Sequence, residues 1–165
     1  MSEPELRGER VLVTGGAGFV GGHLARALVP DNDVTVLDDL SVGQRDVVPD
    51  EATFVEGDIR DETTLESAVS EADVVFHEAA VAGVPPSIRE PVRTNQVNTA
   101  ATVQLLDAAR QSDARVVLAS SSAVYGEPES VPIDEDHPLE PSSPYGVDKL
   151  AVDHYARVFA EQYDL

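Results

Sequence analysis

The chain has 165 residues, 42% of them hydrophobic, and carries 31 acidic against 11 basic residues for a formal net charge of −20. That length and apolar content suit one domain with a buried core and exclude a disordered chain. The absence of cysteine excludes disulfides and cysteine-held metals, and the lack of any basic patch argues against a nucleic-acid partner.

The acids are dispersed along the whole length, and Lys149 is the only lysine. This pattern fits a surface kept soluble in high salt, where self-repulsion is screened, so a halophilic protein is expected. The N-terminus, Met1 to Glu5, is polar and acidic with no apolar stretch resembling a signal peptide, and no run is long enough to span a bilayer. A soluble, cytoplasmic protein without a membrane partner is expected.

Short apolar runs alternate with longer helical patterns, the signature of βα units around a parallel sheet in an α/β fold. Residues 10–14 read as a first strand, followed by a glycine turn and a helix to about Val29. Strands follow at 34–37 and 53–56, then a helix over 62–70 with Asp61 or Thr63 as its N-cap. Residues 74–77 form a fourth strand. A single long helix is predicted over 92–111, with Val97, Ala101, Leu105 and Ala108 on one face, and residues 115–119 form a fifth strand. The stretch from Gly126 to Ser143 is irregular and rich in Pro, Glu and Asp; a loop of that length is usually functional. Ser143 and Pro144 then signal the start of a last helix running to about Tyr163. The sequence stops after this helix, where a right-handed crossover would return the chain to another parallel strand. The expected sheet is therefore incomplete at its C-terminal side, with the fifth strand's outer edge unpaired.

Gly15-Gly16-Ala17-Gly18-Phe19-Val20-Gly21 follows a strand and opens a helix. Glycines permit the tight turn and let backbone N–H groups approach a pyrophosphate at a helix N-terminus. Asp38 ends the second strand, where a carboxylate accepts from a ribose diol and repels a 2′-phosphate, so NAD is preferred over NADP. Asp58 and Ile59 after the third strand are candidates to flank an adenine. Ala79 and Ala80 after the fourth are small enough for a cofactor to lie against the backbone. Ser120-Ser121-Ser122 follows the fifth strand. Tyr145 offers a phenol and Lys149, one helical turn on, an ammonium that favours the phenolate. No metal site is expected, because the four histidines do not fall at ligand spacing. No Gly-Lys-Ser/Thr follows the glycines, so a P-loop is excluded.

Taken together, these segments resemble the extended short-chain dehydrogenase/reductase family, in its NAD-dependent sugar-nucleotide epimerase/dehydratase branch. The resemblance rests on Val13 to Gly21, Leu37 to Gly43, Gly57 to Asp61, His77 to Ala80, Asn98, Ser120 to Gly126 and Ser143 to Lys149, in that order. It implies a Rossmann-type doubly wound sheet, with residues 1–165 forming the NAD-binding domain and a C-terminal substrate domain missing. By the same resemblance Gly15, Gly18, Phe19, Val20, Gly21, Asp38, Asp58, Ile59, Ala79, Ala80, Asn98, Tyr145 and Lys149 hold NAD. Ser121, Tyr145 and Lys149 are the implied catalytic residues, and Ser121, Ser122 and Tyr145 touch the sugar. The implied reaction is epimerisation through a 4-keto sugar, with a UDP-sugar as substrate. Dehydratases of the branch carry an Asp-Glu pair where this chain has Ser122-Ala123, which disfavours dehydration. Ala101 stands where relatives usually have Gly, and Asp148 where they often have Ser or Ala. A homodimer through the long helix and the Tyr145/Lys149 helix is implied, as is little turnover from a chain half the family's length. A standalone NAD-binding regulatory module, or another chemistry of the branch such as decarboxylation, is the alternative.

Overall fold

The computed structural model describes residues 6–165. Residues 1–5, the acidic N-terminus read above for a signal peptide, lie outside the described residues. The chain divides into two compact units, one running to Ala79 and adding Gln104–Leu118 with Leu165, the other formed by Ala80–Val103 and Ala119–Asp164.

The first unit is built on five parallel strands: β1 (Arg10–Thr14), β2 (Asp33–Asp38), β3 (Thr53–Glu56), β4 (Val74–His77) and β5 (Arg115–Leu118). Their order is β3-β2-β1-β4-β5. The chain winds outward from β1 to β3, then returns to β4 on the other side of β1, so this is a doubly wound α/β sheet. Its switch point lies between β1 and β4, which pair from Val11↔Val74 to Thr14↔His77. The strands are near-continuous Val/Leu runs because both faces of a parallel sheet are covered. On one face Val11, Val13, Val34 and Val36 pack with Ala17 and Ala25. Leu12, Leu37 and Val75 are equally buried, as are Leu65 and Val69 of α2 (Glu62–Ser70). β5 is an edge strand with no fully buried residue, and its Val117 is 41% exposed.

The helix α1 (Phe19–Leu28) has no acidic residue in its first turn and no side-chain cap at Gly18. The N-cap of α2 is Asp61, whose carboxylate accepts from the Thr64 N–H at 2.8 Å; this settles the choice against Thr63.

Two helical segments depart from the sequence pattern. α3 (Val84–Arg89) was not anticipated, because Pro85 and Pro86 suggest a loop; in a first helical turn, however, proline forfeits no hydrogen bond. The single helix predicted over 92–111 is instead α4 (Pro91–Asn95), a π turn at Gln96–Ala100, and α5 (Ala101–Ser112). The wide turn moves the buried stripe to Thr94, Asn98, Ala101, Thr102, Leu105, Leu106 and Ala109, leaving Val97 and Ala108 half-buried. A 3₁₀ turn at Ser122–Tyr125 and the irregular residues 126–143 lead into α6 (Pro144–Tyr163). Among the described residues no helix is long and apolar enough to cross a membrane.

Candidate active site

In the first unit the glycine turn is shaped by backbone crowding. Gly15 adopts φ +71°, and a Cβ there would lie 2.6 Å from the Ala79 nitrogen. A Cβ on Gly21 would lie 2.4 Å from the Gly15 carbonyl oxygen. Gly18 differs, since a Cβ would meet only the Gly15 oxygen at 3.2 Å. Two glycines therefore close the turn on itself, and the third leaves one side open. The first N–H groups of α1 have no preceding turn to accept them, and its first turn carries no acidic residue. Phe19 and Val20 stand exposed there. This is a cradle suited to an anion.

Asp38 is buried at the end of β2. Its carboxylate accepts from the Ala17 N–H at 3.0 Å and the Leu40 N–H at 2.8 Å. The two bonds tie the glycine turn to the loop after β2, and each oxygen keeps a second lone pair for a diol. At the end of β1 the Thr14 hydroxyl pairs with Nδ1 of buried His77 at 2.7 Å and accepts from the Ala79 N–H at 3.3 Å. This pairing, which sequence reasoning did not single out, fixes the strand ends that Gly15 and Ala79 bring together. The Asp58 carboxylate is engaged by the guanidinium and backbone N–H of Arg60. Ile59 is buried.

The second unit holds the acid/base candidates. Tyr145 lies half-buried in the first turn of α6, after the N-cap Ser143, whose hydroxyl accepts from the Gly146 N–H at 3.1 Å. Lys149 is only 8% exposed, and its ammonium donates to the Ala119 carbonyl at 2.7 Å. Ser121 caps the 3₁₀ turn, with Oγ accepting from the Ala123 N–H at 3.2 Å. At Gly146 a Cβ would sit 2.5 Å from the Ala123 carbonyl oxygen. The segment 119–123, with Ser121 at its middle, is thus clamped to α6 at both ends, by the Lys149 hydrogen bond and by backbone contact at Gly146. Ser122 is exposed beside it. Tyr145 and Lys149 share α6, and the serine segment packs on that helix through Ala119 and Ala123; the role of Gly146 could have been found only from the turn that packs on it.

Asn98, which the resemblance places at the cofactor, anchors a backbone segment. Within the π turn its amide accepts from the Val81 N–H at 2.8 Å and donates to the Val81 carbonyl at 3.1 Å, holding the segment that follows Ala80. Asp148 is 3% exposed and accepts from Asn95 Nδ2 at 2.8 Å and Thr99 Oγ1 at 3.0 Å, partners that no local pattern assigns.

The NAD dependent epimerase/dehydratase family model matches residues 11–165. The chain belongs to that family. A putative UDP-glucose 4-epimerase of Methanocaldococcus jannaschii is 40% identical over 159 residues, covering 94% of this chain and 52% of the relative. Among solved structures, a UDP-N-acetylglucosamine 4-epimerase from Methanobrevibacter ruminantium in complex with UDP-N-acetylmuramic acid superposes with a TM-score of 0.92 at 39% identity, over 97% of this chain and 53% of that one. A UDP-glucose 4-epimerase from Brucella ovis in complex with NAD gives a TM-score of 0.89 at 38% identity, over 94% and 49%. The chain therefore spans about half the length of the relatives it matches. NAD is the family's cofactor, and the uncapped helix end, the open side of Gly18 and the anchored Asp38 fit a dinucleotide.

Proposed function

We propose that this member of the epimerase/dehydratase family works in sugar-nucleotide 4-epimerisation, with residues 1–165 supplying the NAD-binding domain and the acid/base groups. The observation that supports it most directly is the clamped segment at Ser121, which sets a hydroxyl beside the helix turn that carries Tyr145 and Lys149. In this reading Gly15, Gly18 and Gly21 with the N–H groups of Phe19 and Val20 receive the pyrophosphate, and Asp38 the adenosine ribose. Asp58 and Ile59 flank the adenine, and Ala79 and Ala80 allow close approach. Asn98 acts by holding Val81. Lys149 is the group placed to steady both the Tyr145 phenolate and the nicotinamide ribose.

NAD supplies, when bound, the acceptor and later the donor of one hydride. Tyr145 takes the proton of the sugar's C4 hydroxyl as that carbon is oxidised, and returns it when the ketone is reduced on its other face. The Ser121 hydroxyl, whose oxygen already accepts from Ala123, donates toward the reacting oxygen, and Ser122 adds a second polar contact. Ser122-Ala123 offers no acid/base pair for eliminating water, which favours epimerisation over dehydration. A UDP-sugar is the substrate of choice, since the similar proteins named above are 4-epimerases of UDP-glucose and UDP-N-acetylglucosamine. Exposed Val92 on α4 and Val147, Tyr155 and Val158 on α6 suit a homodimer through these helices. A cytoplasmic protein of a high-salt cell completes the proposal.

The deciding experiment measures UDP-glucose/UDP-galactose interconversion by the protein isolated from its own cells, beside its Tyr145→Phe variant. Turnover should fall by about 10²-fold or more in the variant, the scale of lost acid/base catalysis, with NAD affinity nearly unchanged. NAD binding without any turnover in the parent protein would favour a regulatory module instead.

A further inference from the structure

Asp148 is a carboxylate buried within the second unit, beside the proposed acid/base pair and without a place in the chemistry just described. One of its oxygens, Oδ1, accepts two hydrogen bonds, from Asn95 Nδ2 and Thr99 Oγ1. The other, Oδ2, is buried and has no hydrogen-bond partner among the described residues. A buried carboxylate half-satisfied in this way is costly, and a neutral residue would relieve the cost. Its retention calls for a return elsewhere.

The geometry of its partners suggests what that return is. Asn95 ends α4 and Thr99 lies in the π turn, at i,i+4 spacing, so one carboxylate oxygen grips the helix just before and within the turn where its register widens. Thr99 faces Asp148 while its neighbour Asn98 grips the Val81 backbone. On α6, Asp148 sits three residues after Tyr145 and one before Lys149. A helix held at this position has its rotation and its height along the axis fixed for both side chains.

We propose that Asp148 is a positioning residue, whose hydrogen bonds to Asn95 and Thr99 lock the rotation of α6 and thereby seat the Lys149 ammonium on the Ala119 carbonyl. The proposal rests on the assignment of Tyr145 and Lys149 as the acid/base pair, but its test does not use turnover. Because Lys149 is the only lysine, an amine-acylating reagent modifies just this side chain and the N-terminus, and peptide mass spectrometry separates the two.

The rate of Lys149 acylation is compared in the parent protein, Asp148→Asn, Asp148→Ala and Thr99→Val. Asp148→Asn keeps an oxygen facing Asn95 and Thr99, so its rate should stay near that of the parent. Asp148→Ala should label about tenfold faster, because the seat opens when hydrogen bonds to a charged group are lost. Thr99→Val, which removes one donor, should fall between. Val152→Ala, a cavity in the buried face of the same helix, serves as the control for general loosening. Labelling of Asp148→Ala at the parental rate would overturn the proposal. So would a Val152→Ala variant of similar melting temperature that labels equally fast. A positive labelling result with no effect of Tyr145→Phe on turnover would leave Asp148 as the anchor of α6 and sink the epimerase reading alone.

Discussion

The only lysine of the chain, Lys149, donates a 2.7 Å hydrogen bond to the carbonyl of Ala119, two residues before Ser121. The same ammonium therefore holds the serine segment as well as standing one turn from Tyr145. Replacing it with Met removes both functions. Lys149→Met is expected to lower turnover of the native-source enzyme by about 10²-fold or more, and Lys149→Arg should not restore it, because a planar fork does not reproduce a compact point donor. Parental turnover in Lys149→Arg would contradict this account.

Gly146 secures the other end of that segment. With a Cβ only 2.5 Å from the Ala123 carbonyl oxygen, an alanine must push the 3₁₀ turn off α6 or distort the helix start. Gly146→Ala is expected to lose about 1–3 kcal/mol of stability, the usual cost of overpacking. Urea denaturation followed by far-UV circular dichroism measures it, and an unchanged midpoint would contradict the contact.

The glycines of the nucleotide turn should separate fold from binding. Gly15→Ala forces a side chain into φ +71° and against the Ala79 backbone, so its first effect is on stability. Gly18→Ala meets only one oxygen at 3.2 Å and should fold nearly as well. Its methyl group instead occupies the open side where a pyrophosphate approaches, and NAD affinity is expected to drop by about tenfold or more. Calorimetric titration with NAD, alongside thermal melts of both variants, distinguishes the two effects.

How much of this was legible beforehand depends on what each feature needs. The strands and the cofactor turn are written in local pattern, so all five strands fall within a residue of their predicted bounds. The cap at Ser143 and the Tyr145–Lys149 spacing are equally local. The π turn at Gln96–Ala100 is not, because no periodicity announces one extra residue in a helical turn. α3 was hidden by prolines that are tolerated only at a helix start. The bonds from Asn98 to Val81 and from Asp148 to Asn95 and Thr99 join residues 17 to 53 positions apart, which only the folded chain brings together.

Arg10 and Asp73 give the pH dependence a specific window. The Arg10 side chain, then its backbone N–H, donates to Asp73 and holds its carboxyl below the usual carboxylate range, at about 2. A depressed folded-state value means that the pair contributes stability above the unfolded value and loses it as pH falls from roughly 4 toward 2. The pair is solvent-exposed, so the contribution is small and screened by salt. Asp73→Asn should flatten the fall of melting temperature across that interval and leave the melt near pH 7 little changed. An equally steep acid limb in the variant would show that other carboxylates dominate.

The acidic surface makes a separate demand on the solvent. Even if every one of the 11 basic residues neutralised one acid, 20 of the 31 carboxylates would remain unmatched. At ~0.1 M salt the screening length is ~10 Å and these charges repel across the surface; at ~1 M it is ~3 Å and they do not. The melting temperature is therefore expected to rise steeply as KCl is raised from dilute buffer to molar concentration. Concentrated salt also strengthens apolar burial in any protein, so the slope must be tied to charge. Glu127, Glu129 and Glu135 lie exposed in the irregular stretch before α6, and replacing all three with Gln removes charge without touching the core. If repulsion sets the slope, the triple variant gains stability at low salt and converges on the parent at high salt. Parallel curves would assign the salt response to burial alone and remove the physical basis for reading the surface as a high-salt adaptation.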